Sequence, residues 1–126
     1  MGTGSHTGNE LNRRFRLRNE RAFRQVRRHG QSYTHSLLIL KVEKNNLTSS
    51  RFAIAVGRKI GGAVTRNRIK RRVRAVLTEI LPKIVPGWDI ILIARKPILR
   101  AKFNEINTAV SELLREAGLS PDLAIE

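Results

Sequence analysis

The 126-residue chain carries 25 lysines and arginines against 10 acidic residues, and the resulting net charge of +15 favours polyanionic partners. Its length and its 40% hydrophobic content predict one domain with a single modest core. The lack of cysteine excludes disulfides and thiolate zinc sites, and no apolar run approaches the roughly 20 residues of a membrane span. We therefore expect a cytoplasmic protein that does not enter the membrane.

Both ends of the chain differ in character from the middle. Residues 1–10 are rich in glycine and threonine and lack periodicity, which predicts a flexible leader or an expression remnant. Residues 11–118 are predicted to form one domain. Residues 119–126 are expected to be a loose tail, because Ser120 and Pro121 follow the helix stop at Gly118.

The first half of the domain predicts a helix and two strands. Residues 19–30 read as a short helix with Asn19 as its N-cap and Gly30 at its end. Residues 36–43 and 51–57 are rich in β-branched and apolar side chains, and the turn-forming stretch 44–50 separates them. We expect these two strands to pair as an antiparallel hairpin.

The second half predicts helix, strand and helix. The helix over about 63–81 is indicated by one apolar stripe, formed by Ile69, Val73, Val76, Leu77 and Ile80. Residues 88–95 are apolar on both faces, as in a strand inside a sheet. Residues 102–118 form a last helix, with Phe103, Ile106, Val110, Leu113, Leu114 and Ala117 on its core side. This order predicts a small α+β sandwich.

Basic residues concentrate in the stretch "RKIGGAVTRNRIKRRVR", residues 58–74, which contains no carboxylate. On the helical projection Asn67, Arg71 and Arg74 point away from the core, and Arg66 leans toward it. Arg68 and Arg72 flank one side of this face and Lys70 the other. The glycines at 57, 61 and 62 are expected to permit positive φ or close backbone approach, so that free N–H groups help to hold a phosphate.

Several interpretations of this stretch compete. A disordered tail or a nuclear-localisation peptide would not need an apolar stripe, and a merely solvated face would suffer repulsion between unpaired like charges. An external polyanion is the simplest explanation. Phe15, Phe23 and Tyr33 are open to two interpretations, as core residues or as stacking surfaces for bases. No catalytic triad, paired carboxylates beside a histidine or metal cluster is visible, so the pattern favours binding over catalysis.

The run "KIGGAVTRNRIKRRVR" closely resembles the signature of the protein subunit of bacterial ribonuclease P. The resemblance extends to "LNRRFRLRNERAFRQVRRHG", "RFAIAVGRKIG" and "WDIILIARKP", and covers roughly residues 11–117. It implies a sandwich of the ribosomal protein S5 domain 2-like type, with a left-handed βαβ crossover around the basic helix.

The resemblance also implies a function in tRNA maturation. The partners would be the catalytic ribonuclease P RNA, with one protein monomer per RNA, and precursor tRNA, whose 5′ leader is removed. The RNA would perform the phosphodiester hydrolysis with Mg²⁺, and no dedicated metal site is expected on the protein. The holoenzyme would be an endoribonuclease, and the protein alone would not be catalytic.

Site residues follow from matching the family's motif to this sequence. Contacts to the catalytic RNA are expected from the basic stretch, namely Arg58, Lys59, Arg66, Asn67, Arg68, Lys70, Arg71, Arg72 and Arg74. The leader groove is expected to contain Phe15, Arg16, Phe23, Arg27 and Tyr33. Where some members carry a second aromatic residue, this chain has Arg27, whose guanidinium plane could replace a ring. The rival functions are an rRNA-binding ribosomal protein and a stand-alone nuclease.

Overall fold

A computed structural model describes residues 16–17 and 19–120. Phe15, one of the predicted groove residues, lies outside this part of the chain. The helices are α1 (Glu20–His29), α2 (Ala63–Ile80) and α3 (Phe103–Glu116), and the strands are β1 (Gln31–Thr34), β2 (Leu38–Lys44), β3 (Arg51–Ala55) and β4 (Trp88–Ala94). Short 3-10 helices follow α2 at Leu81–Lys83 and β4 at Lys96–Arg100.

The four strands form one sheet in the order β1-β2-β4-β3. The prediction that β2 and β3 pair as a hairpin is therefore wrong, because β4 lies between them. β2 pairs instead with β1, a strand absent from the sequence-based prediction, in a hairpin whose register places Tyr33 opposite Leu40. β1 is short and mostly exposed, so it lacks the apolar signal by which the other strands were found.

The central position of β4 agrees with its composition. Ile90, Ile91 and Leu92 are all fully buried, as expected for a strand covered on both faces. β4 runs antiparallel to β2 and parallel to β3. The connection from β3 through α2 to β4 is thus a βαβ crossover between neighbouring strands, and the mixed α+β class predicted from the sequence is confirmed.

Helices cover both faces of the sheet. On one face α2 and α3 pack over Leu38, Leu40 and Leu92 in the main hydrophobic cluster. On the other face α1 contributes Val26, which packs with Leu17 and Ile91 in a much smaller cluster. Among the described residues, the ten-residue α1 and Leu17 cover this second face.

The apolar stripe predicted for α2 is confirmed, because its five members are buried. The stripe predicted for α3 is correct from Ile106 to Leu114, but Phe103 is 46% exposed. Phe103 is the first residue of α3, and it reaches past the part of the helix that packs against the main cluster. Within the described residues, no helix is long and apolar enough to cross a membrane.

The folded domain extends past the predicted boundary at 118. Leu119 and Ser120 are 1% exposed, and the carbonyl of Leu119 accepts a hydrogen bond from the backbone N–H of Val85 at 2.8 Å. Gly118 has φ +78, the left-handed conformation that a glycine after a helix supplies. The first residues of the predicted tail are therefore part of the core.

Candidate nucleic-acid interface

The cationic face of α2 is exposed as predicted for most of its members. Asn67, Arg68, Arg71 and Arg72 are exposed, and Lys70 is half-buried. In the described part of the chain the salt bridges join other residues, Arg51 with Asp89 and His35 with Glu112. Arg68, Arg71 and Arg72 therefore face solvent without a carboxylate partner among the described residues, which leaves their charge available to an anionic ligand.

Arg66 differs from these neighbours. Its side chain is half-buried, and its Nε–H is buried with no acceptor among the described residues. This N–H is therefore free to donate to a water molecule or to a ligand. The prediction that Arg66 leans toward the fold agrees with this burial.

Arg74 is also half-buried, although the helical projection placed it fully outward. The chain at residues 16–17 runs beside β3, where the Leu17 N–H donates to the Phe52 carbonyl at 2.7 Å. Burial, and in second place the charge of the nearby Arg16, lower the pKa of Arg74. Arg16 is exposed beside β3, and its assignment to the leader groove stays a prediction.

The groove predicted beside α1 would lie on the other face of the sheet. Phe23 is half-buried there, and it packs against the small cluster of Leu17, Val26 and Ile91. Ala53 and Ile93 of the sheet are also only partly covered, so the groove floor is apolar and accessible. One turn after Phe23, the exposed Arg27 is tied to the sheet, because its carbonyl accepts a hydrogen bond from Lys41 Nζ at 2.7 Å.

A cavity of about 860 Å³ at the carboxyl ends of β3 and β4 connects this groove with the basic stretch. Five of the residues that line it are cationic, namely Arg27, Arg58, Lys59, Lys70 and Lys96. The first four belong to the two predicted sets, and the structure brings them together. Lys96 was missed, although its position two residues after the buried strand β4 was a usable signal.

The glycines of the basic stretch do not supply positive φ, which was one of the two roles predicted for them. Among the described residues the glycines with positive φ are Gly87 and Gly118, so the turn before α2 uses ordinary backbone conformations. A Cβ at Gly57 or Gly62 would meet no atom within 4 Å. The fold therefore requires a glycine at neither position, and the backbone at both is open to an external molecule.

Tyr33 lies on the opposite face of the sheet from the groove. It is paired with Leu40 and packs against the main cluster, because directly paired residues project to the same face. The structure thus separates Tyr33 from Phe23 and Arg27, and the predicted position of Tyr33 in the groove is not found.

These features define a class of protein: a mixed α+β domain with a cationic helix on one face of its sheet and a partly open apolar groove on the other. Within the described residues there is no group of three or more histidine, aspartate or glutamate side chains that could hold a metal ion. The interface is a cationic surface next to an apolar one.

Comparison with known proteins identifies the family. The Ribonuclease P family model matches residues 11–118. The ribonuclease P protein component of Roseiflexus sp. (strain RS-1) is 40% identical over 110 residues, which cover 86% of this chain and 90% of the relative. The chain belongs to the ribonuclease P protein component family. Membership implies a ribonuclease P holoenzyme with an RNA partner and a role in tRNA processing.

Solved structures agree with this assignment. The RNase P protein of Staphylococcus aureus superposes with a TM-score of 0.76 at 27% identity, covering 83% of this chain and 96% of the other. The RNase P protein of Thermotoga maritima gives a TM-score of 0.72 at 32% identity, covering 79% and 96%.

Proposed function

We propose that the chain binds the catalytic RNA of ribonuclease P through the cationic face of α2, as one copy per RNA. We further propose that it holds the 5′ leader of precursor tRNA in the groove beside α1, and so assists removal of the leader. The observation that carries the proposal is the cavity at the ends of β3 and β4, where cations of α1, the basic turn and α2 converge. One continuous anionic ligand, or two adjacent ones, would satisfy this arrangement.

The leader would be held by shape and charge together. Phe23 offers a half-exposed ring on an apolar floor, and Arg27 supplies a guanidinium at the end of the groove. Stacking on an aromatic ring tolerates any base, and contacts to phosphates carry no sequence information. This mode of binding would suit a leader of variable sequence, and it would distinguish precursor from mature tRNA because only the precursor has a leader.

Hydrolysis would be the task of the RNA with Mg²⁺. Mg²⁺ binds carboxylates, phosphates and water, whereas the residues at the convergence cavity are cationic or apolar. The residues present thus fit phosphate contacts rather than a protein-held metal. The protein would act by binding, and by lowering the electrostatic cost of bringing two RNAs together.

The test is cleavage of precursor tRNA by ribonuclease P RNA at low Mg²⁺, with and without the chain. Cleavage should be restored by the chain and should be absent with the chain alone. Failure to bind the RNA and to restore cleavage would contradict the proposal. Cleavage by the chain alone would assign the reaction to the protein.

A further inference from the structure

Phe103 is an exposed aromatic residue that the predicted groove does not include. It lies at the start of α3 and is 46% exposed, although Ile106 and Val110 on the same helical face are buried. Burial of a phenyl ring is strongly favourable, so a ring left half in water forgoes stabilisation that the fold could have gained. Single exposed apolar residues are common on protein surfaces, so the neighbours of Phe103 decide whether it can bind a ligand.

The ring borders a cleft of about 330 Å³ between α2 and the start of α3. The cleft is lined by Arg68, Arg71, Arg72, Ala75 and Phe103. The four α2 residues recur at spacings of three and four, so they form one strip of the helix surface. A long hydrogen bond of 3.4 Å from Arg72 Nη1 to the carbonyl of Ala101 links this strip to the segment before Phe103.

The cleft is cationic, and its arginines have no carboxylate partner in the described ranges. Glu105, near Phe103 in the chain, accepts a hydrogen bond from the Lys102 N–H at 2.7 Å and so caps its own helix. Glu79 is exposed one turn beyond Ala75 on α2. Three guanidinium groups and the Phe103 ring are therefore available together in this cleft.

We infer that Phe103 stacks on an unpaired nucleobase of RNA whose neighbouring phosphates bind Arg68, Arg71 and Arg72. A nucleotide has a flat π face next to an anionic group, and RNA-binding proteins combine aromatic stacking with cationic contacts in this way. The inference rests on the proposed function and deepens it. It adds an aromatic contact on the face of the sheet opposite Phe23.

The first experiment measures binding of fluorescent ribonuclease P RNA to the full chain over a range of salt concentrations. Phe103→Ala should weaken binding roughly 5- to 150-fold, as expected for removal of one base–aromatic stack. Phe103→Tyr and Phe103→Trp should stay within about threefold of the parent. The slope of log K against log salt should not change in Phe103→Ala, because stacking releases no counterion.

A matched variant separates stacking from charge. Arg71→Gln removes one phosphate contact and keeps the ring, so it should reduce the salt slope by about 0.7–0.9. If Phe103→Ala lowers the slope, or binds within about twofold of the parent, the stacking inference is overturned. If the parent chain does not bind the RNA at all, the proposed function itself fails.

The second experiment places a reporter in the cleft. The sequence has one tryptophan, Trp88, so Phe103→Trp in a Trp88→Phe background gives a single fluorophore. Saturating ribonuclease P RNA should quench its emission and protect it from acrylamide. Leu47→Trp in the same background is the control. Leu47 is 49% exposed and lies near the amino end of β4, away from the cleft.

Two outcomes of the reporter experiment overturn the inference. The first is equal quenching at positions 103 and 47, which would indicate a general effect of RNA proximity. The second is protection at 103 by polyglutamate as strong as by RNA, which would assign the cleft to an acidic peptide. Protection at 103 by RNA alone supports the stacked base.

Discussion

Arg51 and Asp89 face each other across the parallel strands β3 and β4, and they form a bidentate ion pair with distances of 2.9 and 2.8 Å. The Asp89 carboxylate also accepts a hydrogen bond from Asn45 Nδ2 at 2.8 Å. The hydrogen bond with Asp89 raises the pKa of Arg51, although burial acts against it. The contribution of this raised pKa to stability is fully present at neutral pH and is lost as the pH rises through it.

Asp89→Asn should therefore lower the free energy of unfolding by about 2–4 kcal/mol, because it leaves a partly buried guanidinium without its counter-charge. Urea unfolding measured by circular dichroism tests this expectation. The control is Glu79→Gln, which removes an exposed carboxylate from α2 and should change stability by no more than about 0.5 kcal/mol. Equal effects of the two changes would show that net charge matters and the pair does not.

The double change Arg68→Gln with Arg72→Gln should weaken binding of ribonuclease P RNA and flatten its salt dependence. Each phosphate that is no longer neutralised reduces the slope by about 0.7–0.9, so the double change should reduce it by about 1.4–1.8. Lys83→Gln with Arg115→Gln removes the same charge from exposed positions outside the cationic face. A similar reduction in this control would mean that total charge governs binding.

Phe23→Leu keeps an apolar side chain in the groove and removes the ring. Affinity for precursor tRNA should fall by about fivefold or more, while affinity for mature tRNA should stay unchanged, because only the precursor offers a leader to stack. Filter binding to the reconstituted holoenzyme measures both. Phe52→Leu removes the same ring inside the main cluster and should leave the ratio of precursor to mature affinity unchanged. Equal losses for both tRNAs in Phe23→Leu would remove the stacking role.

Tyr33→Leu should leave the ratio of precursor to mature affinity within about twofold of the parent, since Tyr33 lies on the other face of the sheet. The change removes a hydrogen bond from the phenol to Gln31 Oε1, which is 3.1 Å long and exposed. A selective loss of precursor binding in the same assay would contradict the separation of Tyr33 from the groove.

Gly30→Ala should destabilise the fold by about 1–3 kcal/mol through overpacking. A Cβ at this position would lie 2.6 Å from the carbonyl oxygen of Val26 and 2.9 Å from that of Val42, so α1 would have to move away from β2. Thermal unfolding measures the effect. Gly57→Ala is the control, because its Cβ would meet nothing within 4 Å. If Gly57→Ala is also destabilised, the need for glycine comes from backbone conformation and not from steric crowding.

Periodic features of the sequence predicted the structure well. The stripe from Ile69 to Ile80 located α2 and sorted most of its cations, since a helix that buries one face must expose the opposite one. Strand pairing was predicted wrongly for a related reason. Periodicity identifies a strand but carries no information on its neighbour, so chain order suggested β2 next to β3 when β4 lies between them.

The sequence predicted the part of the candidate site that lies on a single helix, but not the part that several elements form together. The cations of α2 follow from one helical projection, but the cavity that joins Arg27 to Lys70 and Lys96 depends on three segments far apart in the chain. Tyr33 was assigned to the wrong face of the sheet because β1 is too short for its alternation to show which face each residue occupies. Phe103 was assigned to the core because the stripe on α3 continues one turn beyond the surface that covers it.

The insertion of β4 between β2 and β3 also constrains when the protein can fold during synthesis. The ribosome delivers β2, β3 and the whole of α2 before β4, and until then β2 and β3 have no common neighbour. The apolar face of α2 then lacks most of the sheet on which it packs. We expect nascent chains that end near residue 85 to give no cooperative unfolding transition, and chains that end beyond 120 to give one. The arginines of α2 thus leave the ribosome before the sheet that positions them is complete. We therefore expect the nascent chain to be a flexible polycation until β4 joins the sheet.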